Sequence, residues 1–214
     1  MYSPKFSITN KLLKLIGTIE AAKEVIENSP LVPAWEAKFR EEAIIRTVHH
    51  GTHIEGNELN FTEAGQVIAG GKIVGRERDI QEVVNYRNVL KFIETYDKPG
   101  VSEETIKHIH ALTAHRVLSD EHIGEYRKTQ VVVKNSETGE VTFRPPPAIE
   151  VPFLVESFIQ WLTEGSADTH AAIKAGITHY EIVRIHPFLD GNGRVARATA
   201  TLVLFLERYD IKRF

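Results

Sequence analysis

The stretch from His186 to Arg197 combines, within one short segment, residue types that could perform chemistry together. His186 can accept a proton near neutral pH, because the unperturbed pKa of an imidazole lies at about 6.5. Asp190 supplies carboxylate oxygens of the kind that Mg²⁺ prefers. Arg194 and Arg197 are spaced i and i+3, so they share one face of the helix predicted after the turn. A base, a metal ligand and paired cations together indicate chemistry on a phosphate group.

The turn Gly191-Asn192-Gly193 separates the carboxylate from the arginines and leads directly into a helix-like sequence. Helix starts present free backbone N–H groups and a positive dipole end, and both suit a bound phosphate. The simpler alternative is ordinary Asn-Gly turn chemistry followed by solvated arginines. That alternative must explain the histidine, the carboxylate and both arginines as coincidences, so phosphate binding is favoured.

Residues 186–197 read His-Pro-Phe-x-Asp-Gly-Asn-Gly-Arg-x-x-Arg, which resembles the signature of Fic domain proteins at every defined position. The loop is neither a Walker loop nor a Rossmann fingerprint, since no Lys-Ser/Thr follows the glycines and no strand pattern precedes them. The resemblance implies an all-α fold, a Fic-like helical bundle with a small β-hairpin flap over the active-site loop. It also implies a protein adenylyltransferase, which transfers AMP from Mg-ATP to a Ser, Thr or Tyr hydroxyl of a target protein.

The same resemblance implies a role for each residue of the loop. His186 would be the catalytic base, and Asp190 would bind the Mg²⁺ cofactor between the α- and β-phosphates of ATP. Arg194 would neutralise the β-phosphate, and Arg197 would hold the γ-phosphate. The remaining phosphate-binding groups would be Gly191, Asn192 and Gly193. ATP and a hydroxyl-bearing protein are the implied partners, and the resemblance also allows self-modification and a homodimer.

Residues 51–57, Gly-Thr-His-Ile-Glu-Gly-Asn, resemble the inhibitory motif of Fic proteins, in which a Ser or Thr precedes Glu-Gly or Glu-Asn. The Glu-Gly-Asn part matches, but Gly51 occupies the Ser/Thr position. The resemblance implies that Glu55 inhibits the enzyme by pairing with Arg197, where the γ-phosphate should lie. The structural alternative is a plain helix end capped by a glycine, with Ile54 facing the core.

The composition favours a single soluble domain. The chain has 214 residues, 42% of them hydrophobic, and its formal net charge of −3 argues against a nucleic-acid-binding surface. It has no cysteine, so disulfides and cysteine nucleophiles are excluded. No signal-peptide pattern opens the sequence, and no apolar run approaches the roughly 20 residues of a membrane span. We therefore expect a cytoplasmic protein with no nucleic-acid or membrane partner.

Hydrophobic periodicity predicts a series of helices that would carry and support the loop. The predicted helices span residues 8–28, 34–50, 62–68, 79–96, 102–118, 150–162, 169–185 and 195–208. Strand-like runs at residues 130–133 and 141–143, with turn chemistry at 135–139, predict the β-hairpin. An isolated hairpin is marginally stable, so this one must rest on the helices. Its simpler interpretation is a structural hairpin with no role in binding a target.

No linker or internal repeat interrupts this series, so residues 1–214 are predicted to form one Fic-type domain. Residues 1–60 would form N-terminal helices with the inhibitory segment, and residues 61–214 would form the Fic core. In the family, residues beyond the motif helix help to hold the nucleoside, and Lys212-Arg-Phe214 does not resemble a domain end. We therefore expect the core to be truncated at its C-terminus.

The apolar faces of the predicted helices are interpreted as core. The helices on either side of the loop carry so little charge that both should be buried, and Phe188 should anchor the loop between them. Apolar residues elsewhere are likewise assigned to the core, among them Leu13, Val25, Trp35, Phe39 and Phe153.

The histidines outside the loop are interpreted as polar surface or helix-end residues. His49 and His53 have a spacing found in zinc sites, but no third ligand accompanies them at a recognisable distance. His108, His110 and His115 receive the same interpretation.

Other functions remain open alongside AMP transfer. Removal of AMP from a modified target could use the same loop, with Glu55 orienting a water. Another phosphate-bearing group could be transferred, since the loop recognises phosphates rather than a nucleobase. A low-turnover nucleotide-binding regulatory module is the alternative from a different class. His186 argues against it, because pure binding needs no base.

Overall fold

The computed structural model describes residues 2–30, 32–135 and 138–209, and within these ranges the chain forms an all-α bundle with one small hairpin, as predicted. The helices are α1 Asn10–Asn28, α2 Pro33–His53, α3 Phe61–Ile68, α4 Glu77–Glu94, α5 Glu103–Ala114, α6 Val151–Gln160, α7 Ala171–Ile185 and α8 Asn192–Leu206. Short 3₁₀ turns lie at Asp120–His122 and Ala148–Glu150, and a π-helical turn at Trp161–Gly165 extends α6.

α7 and α8 pack closely against each other and form the centre of the fold. Their inner faces supply Ile182, Ile185, Val195 and Leu202 to the core, all of them buried. α2, α4 and α5 pack around α8. The prediction of two buried helices on either side of the loop is confirmed, and the loop is therefore suspended between rigid supports.

α5 begins at the predicted cap and ends earlier than predicted. Ser102 caps the helix by accepting a hydrogen bond from the Thr105 N–H at 3.2 Å. The helix stops at Ala114 because Arg116 has a φ of 57°, which a right-handed helix cannot contain. The amide of Asn85 then satisfies free carbonyls at this end, donating to Thr113 O and His115 O at 3.0 and 2.7 Å.

The hairpin consists of β1 Val133–Lys134 and β2 Val141–Phe143, paired antiparallel with Val133 opposite Phe143. The second strand was predicted correctly, whereas the first begins later than residue 130. Part of the predicted turn, residues 136 and 137, lies outside the described residues. The hairpin is attached to the bundle through Gln130, whose amide donates to Pro145 O at 2.9 Å.

The assignment of α1 and the start of α2 to the core is wrong. Leu13, Val25 and Trp35 are 61%, 65% and 56% exposed, and Phe39 is exposed as well. Within α1, only part of the predicted apolar face is even partly covered, at Leu12 and Ile16, and a polar contact joins Glu20 to the Tyr209 hydroxyl. An amphipathic period identifies an apolar face, but it does not say whether a neighbour covers that face.

Two further core assignments are wrong, and the end of the chain is not described. Phe153 is 66% exposed on the outer side of α6, whereas Phe158 on the same predicted face is buried. Ile54 is also exposed, so the core-facing role expected of it is incorrect. The predicted unusual end, residues 212–214, lies outside the described residues. Among the helices that the structure does describe, none is long and apolar enough to cross a membrane.

Candidate active site

His186 occupies the C-cap of α7 with its side chain prepared to act as a base. Its backbone is left-handed, with φ 53° and ψ 58°, and the proline that follows turns the chain out of the helix. Nδ1 lies 3.3 Å from Val183 O, a carbonyl that can only accept, so the proton is on Nδ1 and the lone pair on Nε2. Nε2 has no hydrogen-bond partner among residues 2–30, 32–135 and 138–209. Burial lowers the pKa of His186 below its ordinary value, so the imidazole is neutral at pH 7.

The loop after His186 is held in shape by Asn192, the first residue of α8. The Asn192 side chain accepts from Phe188 N at 2.8 Å and donates to Phe188 O at 2.9 Å. Phe188 is fully buried, which confirms its predicted role as the anchor of the loop. Because the amide group of Asn192 is engaged in this contact, only its main-chain N–H remains available for a phosphate.

His110 supports the loop from α5 and is not the surface histidine that was predicted. It is fully buried, and its ring stacks on Phe188 with centroids 3.8 Å apart. Its Nε2 faces Asp190 O at 3.2 Å, and its Nδ1 accepts from Gly124 N at 2.9 Å. Only a neutral imidazole satisfies both contacts, and burial accordingly lowers the pKa of His110 to about 4. The polar partners explain why a histidine can occupy the core here.

Arg127 connects the loop to the base of the hairpin, a role that the sequence did not suggest. The side chain is almost fully buried, and its Nε donates to His186 O at 2.8 Å. Nη2 donates to Pro146 O at 2.6 Å, and the Arg127 N–H donates to Pro187 O at 2.9 Å. One arginine therefore fixes the backbone of the histidine and the chain that leaves the hairpin.

Asp190 presents its carboxylate at the mouth of the loop, with both oxygens partnered. Oδ1 accepts from Gly191 N at 2.6 Å, and Oδ2 accepts from Arg78 Nη2 at 2.8 Å. Arg194 Nη2 lies 3.6 Å from Oδ1. Burial alone would raise the pKa of Asp190, but the Gly191 N–H and the two arginines outweigh it and lower the pKa. The carboxyl is therefore ionised at neutral pH.

Asp190 supplies a single carboxylate, which would fit a Mg²⁺ ion only if a bound nucleotide added further oxygens. Mg²⁺ usually takes one or two carboxylates and completes its shell with phosphate oxygens and water. The described residues contain no cluster of three potential metal ligands, so this carboxylate alone would hold a cation weakly. Substrate phosphates would have to supply the remaining oxygens.

Arg194 lies beneath the loop in a buried charge network. It is only 3% exposed, and its Nη1 lies 2.9 Å from Glu82 Oε1. Glu82 also accepts from Arg78 Nε at 3.1 Å and from Asn57 Nδ2 at 3.2 Å. This acid is itself buried, and three partners from different segments offset the cost of its burial.

Glu55 contacts Arg197, as the resemblance implied. Glu55 Oε1 lies 2.8 Å from Arg197 Nη2, and the same nitrogen donates to Gly51 O at 2.7 Å. A side chain at Gly193 would overlap Glu55 Oε1, so the carboxylate lies directly over the first turn of α8. Negative charge is favoured at that end of a helix, where a phosphate would also bind. The site of the acid and the expected site of the triphosphate therefore coincide.

Asn57 holds this segment in place. The side chain is buried, and its Nδ2 donates both to Glu82 Oε2 and to Asp79 O, the latter at 3.0 Å. Arg76 adds a second attachment by donating to Gly56 O at 3.1 Å. Gly56 has a φ of +89°, which supports the predicted glycine end of the helix. The segment is therefore fixed by the first turn of α4.

Tyr86 leaves no space for a side chain at Gly51, the position at which the resemblance expects Ser or Thr. A Cβ atom at Gly51 would lie 2.5 Å from Tyr86 Cε1, closer than packed atoms can approach. The ring of Tyr86 is buried in that space. The tyrosine thus fills the volume that a side chain at position 51 would need.

The structure gathers the predicted residues into one site and adds others to it. His186, Asp190, the glycines and Arg197 line the loop, and Glu55 reaches it from α2. Sequence analysis missed Arg78, Glu82, Tyr86, His110 and Arg127 as supporting residues. A signal existed for Glu82, since it falls on the same face of α4 as Val83, Tyr86 and Val89. An acid at such a position is costly without a buried partner.

Comparison with protein families matches residues 100–204 to the Fic/DOC family. Among curated proteins, the chain is 30% identical over 177 residues to the protein adenylyltransferase Fic of Drosophila grimshawi, covering 80% of this chain and 35% of that protein. The protein of the same name from Drosophila melanogaster is 29% identical over 177 residues, covering 80% of this chain and 34% of the relative. The chain thus spans about a third of the length of the curated relatives it matches.

Solved structures give the same result for the fold. A Fic family protein from Desulfovibrio desulfuricans superimposes with a TM-score of 0.84 at 30% identity, covering 99% of this chain and 62% of that one. A Fic domain containing signaling protein from Bacteroides thetaiotaomicron gives a TM-score of 0.75 at 25% identity, covering 90% of this chain and 72% of that one. The prediction of a Fic-like helical bundle is confirmed.

Proposed function

The chain belongs to the Fic/DOC family, and we propose that it is a protein adenylyltransferase that moves AMP from Mg-ATP to a Ser, Thr or Tyr hydroxyl of a target protein. The observation that carries the proposal is the free Nε2 of a neutral His186, which lies at the head of a loop that can hold phosphates. Pure nucleotide binding would need the phosphate groups of this site but not the base.

In the proposed reaction, His186 Nε2 takes the proton of the target hydroxyl as that oxygen attacks the α-phosphorus of ATP. A new P–O bond forms to the target, and the bond to the β-phosphate breaks, so that pyrophosphate leaves. The neutral state of His186 at pH 7 supports this role, because a protonated imidazole could not accept the proton. Proximity and fixed charge would supply most of the rate enhancement.

The phosphates would be held by the backbone N–H groups of Asn192 and Gly193 and by Arg197, since the Gly191 N–H already donates to Asp190 Oδ1. Arg194 would contribute positive charge near the β-phosphate from its buried position under Asp190. Mg²⁺ on Asp190 would offset the negative charge that develops on the leaving pyrophosphate. These roles are the ones that the family resemblance implies, now placed on the positions that the residues occupy in this structure.

The hairpin of β1 and β2 would receive the target segment. Its strands are largely exposed and end close to the loop, because Arg127 ties the exit of the hairpin to the backbone of His186. Addition of an extended peptide to a strand edge needs main-chain hydrogen bonds and makes few demands on sequence. A hydroxyl side chain on such a peptide could then approach Nε2.

Glu55 would restrain the reaction by occupying Arg197. The pair is 2.8 Å long and lies over Gly193, so a γ-phosphate and the Glu55 carboxylate would compete for one cation. We therefore propose that the protein is autoinhibited, and that its partners are ATP, a protein target and, once Glu55 is removed, the chain itself.

The test is transfer of label from ATP that carries a tagged α-phosphate. Purified Glu55→Gly is expected to label itself or proteins of a lysate at least about tenfold more than wild type, and mass spectrometry should show a gain of one AMP. The matched control is Glu55→Gly with His186→Ala, which keeps the released arginine but lacks the base. Equal labelling with and without His186 would overturn the proposal.

Removal of AMP is the second candidate, and the position of Glu55 favours it. A carboxylate that lies over the phosphate site could orient a water toward the phosphorus of a modified hydroxyl. An AMP-modified protein incubated with wild type and with Glu55→Gly separates the two activities. Release of AMP by wild type and its loss in the variant would assign hydrolysis to this chain.

A further inference from the structure

Arg78, in the first turn of α4, occupies the outward oxygen of Asp190. Its Nη2 lies 2.8 Å from Asp190 Oδ2, and the other oxygen faces the Gly191 N–H inside the loop. Oδ2 is therefore the oxygen that remains for a metal ion, since Oδ1 is already engaged. Arg78 thus places a positive charge where a divalent cation would bind.

The contact is of a kind that a metal ion can replace. The side chains of Arg78 and Asp190 are 58% and 40% exposed, and exposed ion pairs contribute little to stability. A cavity of about 590 Å³ lies next to Arg78 and is lined also by Gln81 and Arg116, so the guanidinium has room to move away. Movement would not release Arg78 altogether, because its Nε donates to Glu82 Oε1 at 3.1 Å.

The contact with Glu82 also limits how far Arg78 can move. Glu82 is buried and pairs at the same time with Arg194. Arg78 Nε, which donates to Glu82, therefore stays fixed relative to the loop. Only the Nη groups would need to turn for Asp190 to become free. After that turn they would lie beside the phosphates that bring the metal in.

We propose that Arg78 is the displaceable counter-ion of Asp190: it holds the carboxylate in position before substrate binds and prevents divalent cations from occupying Asp190 without nucleotide. This inference rests on the proposed function, because it takes Asp190 as the metal ligand. It assigns to Arg78 a positioning role, with the consequence that metal and nucleotide enter together.

The experiment is a titration with Mn²⁺ alone, followed by the electron paramagnetic resonance signal of the free ion. Arg78→Gln removes the competing charge and is expected to bind Mn²⁺ about tenfold more tightly than wild type. Arg78→Lys keeps the charge but cannot bridge the carboxylates of Glu82 and Asp190. Its affinity for Mn²⁺ should therefore fall between those of wild type and Arg78→Gln. Arg116→Gln is the matched control, since it removes the same charge from the same cavity without touching Asp190, and it should behave as wild type.

Each outcome decides the proposal. Unchanged or weaker Mn²⁺ binding in Arg78→Gln would overturn it, as would an equal gain in Arg116→Gln, which would reduce the effect to general charge. A gain that persists when Asp190→Asn is added would place the ion elsewhere and also overturn it. Thermal unfolding of each variant checks that it is folded. Failure here leaves the proposed function intact if Glu55→Gly still transfers AMP, because the titration does not depend on transfer.

Discussion

The loop at residues 186–197 meets the segment at residues 51–57, which is proposed above to be inhibitory, at the ion pair of Glu55 with Arg197, yet the two regions are built in different ways. The loop supplies its own restraint, since Asn192 bonds the backbone of Phe188 only four residues away. The inhibitory segment depends on remote residues, because Asn57 is held by Asp79 and Glu82 of α4. The loop therefore carries part of its conformation in its own sequence, with added support from His110 and Arg127, whereas residues 51–57 are held mainly by side chains and carbonyls of α4.

Under the proposed function, this difference would separate the catalytic loop from the segment that restrains it. A loop that is restrained locally and joins the buried helices α7 and α8 should keep its geometry when residues 51–57 move. The inhibitory segment can be released by breaking a few polar contacts, which individually contribute about 0.5–1.5 kcal/mol. Removing the restraint of the loop should therefore destroy activity, whereas removing the restraint of the segment should raise it.

The largest expected effect comes from His186→Ala in the Glu55→Gly background. Loss of the base should lower AMP transfer by about 10²- to 10⁴-fold, with little change in nucleotide affinity, because the phosphates are held by other residues. Single-turnover transfer rates and nucleotide titration would measure the two quantities separately. A loss of nucleotide affinity equal to the loss of rate would show instead that the loop had collapsed.

The comparison is tested most directly by removing the two asparagines in parallel. Asn192→Ala should cost about 2–4 kcal/mol of folding free energy and abolish transfer, because it leaves buried backbone groups at Phe188 unsatisfied. Asn57→Ala should cost about 1–3 kcal/mol and raise transfer above wild type by freeing the segment. Urea unfolding and the labelling assay give both values. A rise in transfer for Asn192→Ala would contradict the proposed division between the regions.

His110 should make the support of the loop sensitive to acid. Burial holds the pKa of His110 at about 4 in the folded protein, whereas the unfolded chain titrates near 6.5. Between these values the unfolded state binds the extra proton, so the free energy of unfolding should fall as the pH falls from about 6.5 to 4, by roughly 3 kcal/mol at most. Urea unfolding of wild type and His110→Gln across this range would measure it. An identical slope in both proteins would be inconsistent with this role.

The smallest effect is expected at the contact between Gly51 and Tyr86. Gly51→Ser should cost about 1–3 kcal/mol through overlap with the ring, and this cost should largely disappear in a protein that already carries Tyr86→Ala. A double-mutant cycle by thermal unfolding would give the coupling. If the free-energy costs of Gly51→Ser and Tyr86→Ala were simply additive, overlap with Tyr86 would not be the reason that a side chain at position 51 is unfavourable.

Sequence analysis predicted local features of the molecule better than contacts between distant segments. The helices on both sides of the loop and the anchoring Phe188 were predicted correctly, because motif, periodicity and turn chemistry are all local there. His110 was assigned to the surface, since no sequence pattern reveals that its two nitrogens find Gly124 and Asp190. The exposed Trp35 and Val25 were assigned to the core, because periodicity cannot report which faces are covered. The contact of Glu55 with Arg197 was implied by the family resemblance, but the other contacts between distant segments lay beyond sequence analysis.

Arg127 has a consequence for the order of events during turnover. The same guanidinium bonds the backbone of His186 and Pro146 at the exit of the hairpin. A peptide that stiffens the hairpin would therefore also reduce the motion of the base, with no separate signal between them. Recruitment of a target and alignment of the histidine would occur at the same moment. If the hairpin receives the target as proposed, a poorly docked peptide would meet a base that is less well aligned, and docking would affect the rate of transfer as well as binding.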